Sequence, residues 1–239
     1  MLKHITFTGI GVDTDFQKLR EIQLQYPIVE YGVLLSKNWA ANGPRYFDPS
    51  KLESLRGLGL NLSCHACGNL AYEALNNNWE PLRELAQGSL DIFNRCQLNI
   101  SHKEPRENTP KLRPPQELDE VIIQQKNADN LEVFNCIEDK GNISVILDAS
   151  GGHGVDTPID IMRMDGVKVG YAGGMNPDNV YRKLRQLFAS DCGDFWIDME
   201  SGVRTDDVFD LGKVEKVLRQ YYMADMASKG RILVHESLD

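Results

Sequence analysis

The sequence is poor in cysteine and short of positive charge. Its five cysteines, at 64, 67, 96, 136 and 192, are odd in number and follow no framework spacing, which excludes a disulfide scaffold. The pair in Ser63-Cys64-His65-Ala66-Cys67 is the only local cluster. With no second Cys-x-x-Cys it falls short of a zinc site, and the plain reading is a buried strand end followed by a helix N-terminus. Lys and Arg number 26 against 35 Asp and Glu, a formal net charge of −9. Phosphate-backbone contacts need clustered cations, so no nucleic-acid partner is expected. No run of about 18 apolar residues occurs, so no membrane span is expected. Met1 to Thr6 enters an alternating strand pattern directly, leaving no room for a signal segment, and a cytoplasmic location is the expectation. Neither a metal nor a cofactor is predicted.

What is present is a rhythm. Short apolar runs at 4–9, 28–36, 58–64, 93–100, 120–125, 143–149, 167–173 and 195–200 alternate with amphipathic stretches. Runs rich in Val, Ile, Leu and aromatics suit parallel strands buried on both faces. The stretch from Asp15 to Tyr26 groups Phe16, Leu19, Ile22 and Leu24 near one face. Asn176, as N-cap before Pro177, opens a second helix carrying Val180, Leu184 and Leu187. Leu211 to Met223 repeats the pattern with Val214, Val217, Leu218 and Tyr221. Eight β-α units in 239 residues fit a closed (β/α)8 barrel. The open-sheet alternative would favour Gly-x-Gly-x-x-Gly after its first strand, and Thr8-Gly9-Ile10-Gly11-Val12-Asp13 lacks the third glycine. Residues 103–118 contain four prolines and break the rhythm. They are expected to replace most of the fourth helix with a long loop, either a lid over the catalytic face or an excursion without function. Residues 224–239 are expected to be a tail to the single domain, 1–239.

In a barrel the C-terminal strand ends build the active site. Three consecutive ends here are glycine-rich: Leu147-Asp148-Ala149-Ser150-Gly151-Gly152-His153-Gly154, then Ala172-Gly173-Gly174-Met175-Asn176-Pro177, then Asp198-Met199-Glu200-Ser201-Gly202-Val203-Arg204. Glycine lets backbone amides approach an anion, and the last two strand ends commonly hold phosphate. A phosphate on Gly152, Gly173, Gly174, Ser201 and Gly202 is the expectation, against the plainer reading of tight turns alone.

These motifs resemble those of phosphoribosylanthranilate isomerase. Tyr31 to Ser36 followed by Pro44-Arg45-Tyr46 is similar to the family's second strand and Ser-Pro-Arg-Tyr loop. Gln97-Leu98 resembles its Gln-Leu-His-Gly. Leu147-Asp148, Ala172 to Val180 and Asp198 to Val203 resemble its later strand ends. The resemblance implies a (β/α)8 TIM barrel of the ribulose-phosphate-binding type, a monomer or homodimer, acting on a small phosphorylated metabolite. It also implies an Amadori rearrangement, in which an acid protonates the furanose oxygen and a base removes the C2′ proton. Asp148 stands at the family's acid position. The family's base is a cysteine ending strand 1, where this chain has Thr8. A threonine hydroxyl does not ionise usefully near neutral pH, so Thr8 does not inherit the role unaided and ordinary activity is not expected. Glu200 replaces a serine of the last motif and Arg204 an acidic residue.

Strand 8 closes against strand 1, and Asp198 and Glu200 share strand parity. Glu200 therefore falls near the vacated base, and Asp148 and Glu200 are the predicted catalytic pair. The alternative is that Glu200 binds a ligand hydroxyl or pairs with Arg204. Thr8, Arg45, Gln97, His153 and Asp198 are predicted to touch substrate, and the resemblance gives Arg45 a carboxylate. Asn61, Ser63, Arg95, Gln97, Asn99, Gln124 and Gln125 are to be shared between the pocket and polar layers of the barrel interior. The expected function is an acid/base isomerase of a phosphorylated sugar derivative. The alternative is a non-catalytic phospho-ligand-binding protein on the same fold. A Schiff-base aldolase is disfavoured, because no lysine ends a strand convincingly and Lys126 lies at the edge of strand 5.

Overall fold

The computed structural model describes residues 1–100, 112–125, 131–150 and 154–230. Eight parallel strands close into a barrel in chain order: β1 Leu2–Thr8, β2 Val29–Leu35, β3 Leu62–Cys67, β4 Arg95–Asn99, β5 Glu120–Gln125, β6 Ile143–Asp148, β7 Val169–Ala172 and β8 Phe195–Met199. Closure is made by β8 on β1, with Ile5 opposite Ile197 and Thr6 opposite Asp198. The predicted (β/α)8 barrel is the observed fold.

The helices are α1 Phe16–Gln25, α2 Trp39–Asn42, α3 Asn69–Leu75, α4 Glu80–Leu85, α5 Glu132–Cys136, α6 Val180–Ala189 and α7 Leu211–Ser228. Asp15 caps α1 by accepting from the Lys18 amide, and Asp210 caps α7 by accepting from the Lys213 amide. Leu19 and Ile22 bury one face of α1, whereas Leu24, expected on that face, points to solvent. The side chain of Asn176 accepts from the amides of Asp178 and Asn179, so it caps the turn that leads into α6. Val214, Val217 and Leu218 bury one face of α7 in the layer between strands and helices. This helix continues to Ser228, into the segment expected to be tail. Among the described residues no helix follows β4 or β6. Residues 112–118, the described end of the proline-rich loop, are docked on α4: Trp79 donates to the Arg113 carbonyl at 3.0 Å, and Arg83 pairs with Glu117 at 2.8 Å.

β3 differs from its predicted span of 58–64. Gly57 and Gly59 have positive φ, so the chain turns where an apolar alternation suggested a strand. The strand begins at Leu62 and carries Ser63, His65 and Cys67 toward the barrel axis, while Cys64 packs in the core outside. The two cysteines therefore lie on opposite faces of β3.

The barrel interior is layered. At the N-terminal end Arg95 donates to both oxygens of Glu30, at 2.6 and 2.8 Å, and to Glu120 at 3.1 Å. Lys168 adds a 2.7 Å pair to Glu120, and Thr6 donates to Glu30. Burial alone would push the Glu30 carboxyl up, but the Arg95 guanidinium overrides it and holds the group below its ordinary value. Above this cluster sits an apolar plug of Ile122, Ile146 and Trp196, with the Arg95 guanidinium 4.8 Å from the Trp196 ring centre. The plug separates the ion cluster from the open, C-terminal end of the barrel.

Candidate active site

A cavity of about 580 Å³ occupies that C-terminal end. Among the described residues three that bear carboxyl groups border it, from β6, β8 and the position after β8: Asp148, Asp198 and Glu200. Asp148 ends β6. It accepts from Gln124 Nε2 at 3.0 Å, from the Ser150 amide at 3.1 Å and from the Ser150 hydroxyl at 2.7 Å. These donors fix its orientation toward the cavity. Asp198 lies deeper, on β8. Burial, with Glu200, Asp148 and Glu30 nearby, raises its carboxyl to about 8, although the Thr8 hydroxyl donates to it at 2.7 Å. Asp198 is therefore a carboxylic acid at neutral pH. Burial also raises Glu200 above its ordinary value, and the nearby Arg45 and Arg204 only partly offset the effect.

Thr8 ends β1 fully buried. Its hydroxyl serves Asp198 and lies 3.4 Å from His65 Nε2, and Thr8 is not among the residues lining the cavity. His65 does line it, and burial depresses its imidazole to about 4, so the ring is neutral. Cys67 also faces the cavity. Burial pushes its thiol up to about 12, so it is no nucleophile at neutral pH.

Arg45 comes from the loop after β2. It donates to Glu200 at 2.7 Å and to the Asp207 carboxylate. Burial works against its charge, but the two acids overcome that and raise its pKa. Arg204 takes a different path from the one considered for it. Its guanidinium donates to the Gly9 carbonyl at 2.8 Å and to the Asp207 carbonyl at 2.9 Å, tying the β8 loop to the β1 loop. The ion partner of Glu200 is Arg45.

Opposite this cluster the β6, β7 and β8 loops lean on one another. A Cβ on Gly202 would sit 1.9 Å from the Met175 carbonyl oxygen, and one on Gly174, whose φ is +61°, would sit 2.3 Å from the Val155–Asp156 backbone. Only glycine permits that approach. Gly173, Gly174, Met175, Ser201 and Gly202 all line the cavity, and none of their backbone amides donates to a group among the described residues. Gly152 and His153, also predicted to bind ligand, lie outside the described residues.

The remaining wall comes from β4 and β5: Gln97, Asn99, Gln124 and Gln125. Of the predicted polar set, Arg95 and Ser63 fill the interior below, while Asn61 bonds the Val29 carbonyl below β2. His65, Cys67 and Tyr46 were not predicted from sequence to line the site. For the first two, the missing signal was the register of β3, since a strand ending at residue 64 leaves them outside the barrel.

The family model for N-(5'phosphoribosyl)anthranilate isomerase matches residues 102–220. No curated protein sequence matches the chain. Among solved structures, N-(5'-phosphoribosyl)anthranilate isomerase from Pyrococcus furiosus superposes with a TM-score of 0.54 at 14% identity, covering 92% of this chain and 98% of its own. Phosphoribosyl anthranilate isomerase from Thermotoga maritima gives 0.52 at 15% identity, covering 93% and 100%. At such identities the structural likeness speaks for the barrel alone.

Proposed function

We propose that this (β/α)8 barrel, whose residues 102–220 match the phosphoribosylanthranilate isomerase family model, is an acid/base isomerase of a phosphorylated sugar derivative. One observation carries this reading: five residues whose backbone amides donate to no other described group, and three that bear carboxyl groups, line one cavity. Amides converging from two loops suit a phosphate, which they bind without cationic side chains. Asp148 and Glu200 divide the proton transfers. One protonates the furanose oxygen, the C1′–O bond opens, and the nitrogen lone pair forms the iminium. The other takes the C2′ proton, and the electron pair of that C–H bond neutralises the iminium to give the enol, which tautomerises to the ketose. Asp198, protonated near neutrality, donates to a ligand oxygen beside them. The Thr8 hydroxyl is committed to Asp198 and takes no substrate proton.

That last point favours the second reading, a phospho-ligand-binding protein that retains the pocket without the chemistry. The two are separated by incubating the protein in D₂O with an N-aryl phosphoribosylamine and following deuterium incorporation at C1 of the ketose product by NMR. The isomerase reading expects exchange that falls about 10²–10⁴-fold in Glu200→Gln, a general base lost, while binding of the phosphosugar stays within a few-fold. Binding without exchange in the wild-type protein would leave the second reading. Absence of binding would remove both.

A further inference from the structure

A lysine is buried behind the β7 loop. Lys183 shares the buried face of α6 with Val180, Leu184 and Leu187, and its side chain is 2% exposed. An ammonium there is unfavourable unless its three N–H groups are all satisfied. Nζ lies 2.6 Å from the Thr157 carbonyl and 2.8 Å from the Asp156 carboxylate, both after β6, and 3.3 Å from the Gly173 carbonyl after β7. Asp156 is half exposed and also has Arg182 at 3.4 Å, so it does not by itself require a buried cation. The next carbonyl along the β7 loop, that of Gly174, accepts from Asn179 Nδ2 at 2.9 Å and Asn176 Nδ2 at 3.3 Å. Gly173, Gly174 and Met175 line the cavity, whereas Lys183, Asn176 and Asn179 do not. Two successive carbonyls are therefore pinned on the side of the loop turned away from the cavity. These peptides are trans, and in a trans peptide the N–H points opposite to the C=O. The same bonds thus turn the Gly174 and Met175 N–H groups to the cavity side, where neither donates to another described group. The ammonium on the Gly173 carbonyl also polarises that peptide and strengthens its N–H as a donor to an anion.

We propose that Lys183 is a positioning residue of the phosphate site, which never touches the phosphate and acts on it through the Gly173–Gly174 peptide. One side chain fastens the loops after β6 and β7 to α6, and in doing so sets the direction and strength of a donor it does not itself supply. This inference rests on the phosphosugar reading above. A lysine that served only to neutralise Asp156 would become dispensable once Asp156 lost its charge, and that difference can be measured.

Calorimetry with ribitol 5-phosphate tests it. Lys183→Met is expected to bind this probe at least about tenfold more weakly than wild type. The bound phosphate gives a second readout by ³¹P NMR. Its second ionisation, at about 6 when free, is held down in wild type by donors aimed at the dianion and should return toward the free value in Lys183→Met. The double variant Lys183→Met with Asp156→Asn removes both charges and is expected to stay as weak as the single variant. Recovery to within about twofold of wild type would make Lys183 a mere partner of Asp156 and overturn the inference. Equal affinity of Lys183→Met and wild type overturns it as well. The wild-type protein tests the geometry without any variant. Saturating ribitol 5-phosphate should shift the amide protons of Gly174 and Met175 downfield in ¹H–¹⁵N spectra, and unmoved amides overturn the inference even where Lys183→Met fails to fold. Failure of ribitol 5-phosphate to bind the wild-type protein overturns the phosphosugar reading and this inference with it.

Discussion

At the scale of single residues, Asp198 holds the site's most displaced proton. Burial and the neighbouring Glu200, Asp148 and Glu30 place its carboxyl at about 8, although the Thr8 hydroxyl donates to it. Unfolded, the same carboxyl titrates near 4. Between these values the native state holds one proton more than the unfolded state. The Asp198 contribution is therefore fullest below about 4 and is lost as pH rises to about 8. Asp198→Asn mimics the protonated form and still accepts from Thr8. It should flatten this dependence and be more stable than wild type at pH 8 by on the order of a few kcal/mol. Urea midpoints of both proteins from pH 5 to 9 measure it; parallel profiles would refute the assignment. Asp148, Asp198 and Glu200 were legible in the sequence because each sits in a glycine-rich strand end. His65 was not. A run of apolar alternation before Leu62 imitates a strand, and only the turns at Gly57 and Gly59 move the register so that His65 faces inward.

At the scale of elements, the strands were more legible than what joins them. Buried parallel strands announce themselves as apolar runs, and β2, β5 and β6 fall nearly where expected. Among the described residues no helix follows β6, and this absence has no such signature, because a helix is recognised by a periodic face and its lack by nothing comparable. Strand interiors held a second hidden feature. Glu30, Arg95 and Glu120 occupy inward positions that hydrophobicity alone would give to aliphatic residues. Their pairing across β2, β4 and β5 is set by register, which a single sequence does not display. Arg95→Leu would leave Glu30 fully buried without its counter-ion and should cost about 3–5 kcal/mol. The double variant Arg95→Leu with Glu30→Gln should recover much of that loss. Thermal denaturation of the pair checks the cycle, and equal melting temperatures for the single and double variants would show that the cluster is not an ion-pair network in energetic terms.

At the scale of the whole molecule, charge and binding mode pull in opposite directions. The chain carries a formal net charge of −9, yet the proposed ligand is a phosphate monoester. A protein that met the phosphate with exposed lysines and arginines would lose affinity as salt screened them. Here the phosphate would rest on neutral backbone amides, which act over a few ångström and are little screened, while the acidic molecule repels a dianion over the Debye length. That length falls from about 30 Å at 0.01 M to about 8 Å at 0.15 M ionic strength. Raising an inert 1:1 salt between these limits should therefore screen the repulsion first and tighten binding of ribitol 5-phosphate, by about twofold to threefold. The expected sign is the opposite of that for a basic anion site, which makes a calorimetric titration at the two ionic strengths decisive. Affinity that falls with salt would place the phosphate on Arg or Lys side chains, and the five amides of the β7 and β8 loops would no longer account for the site.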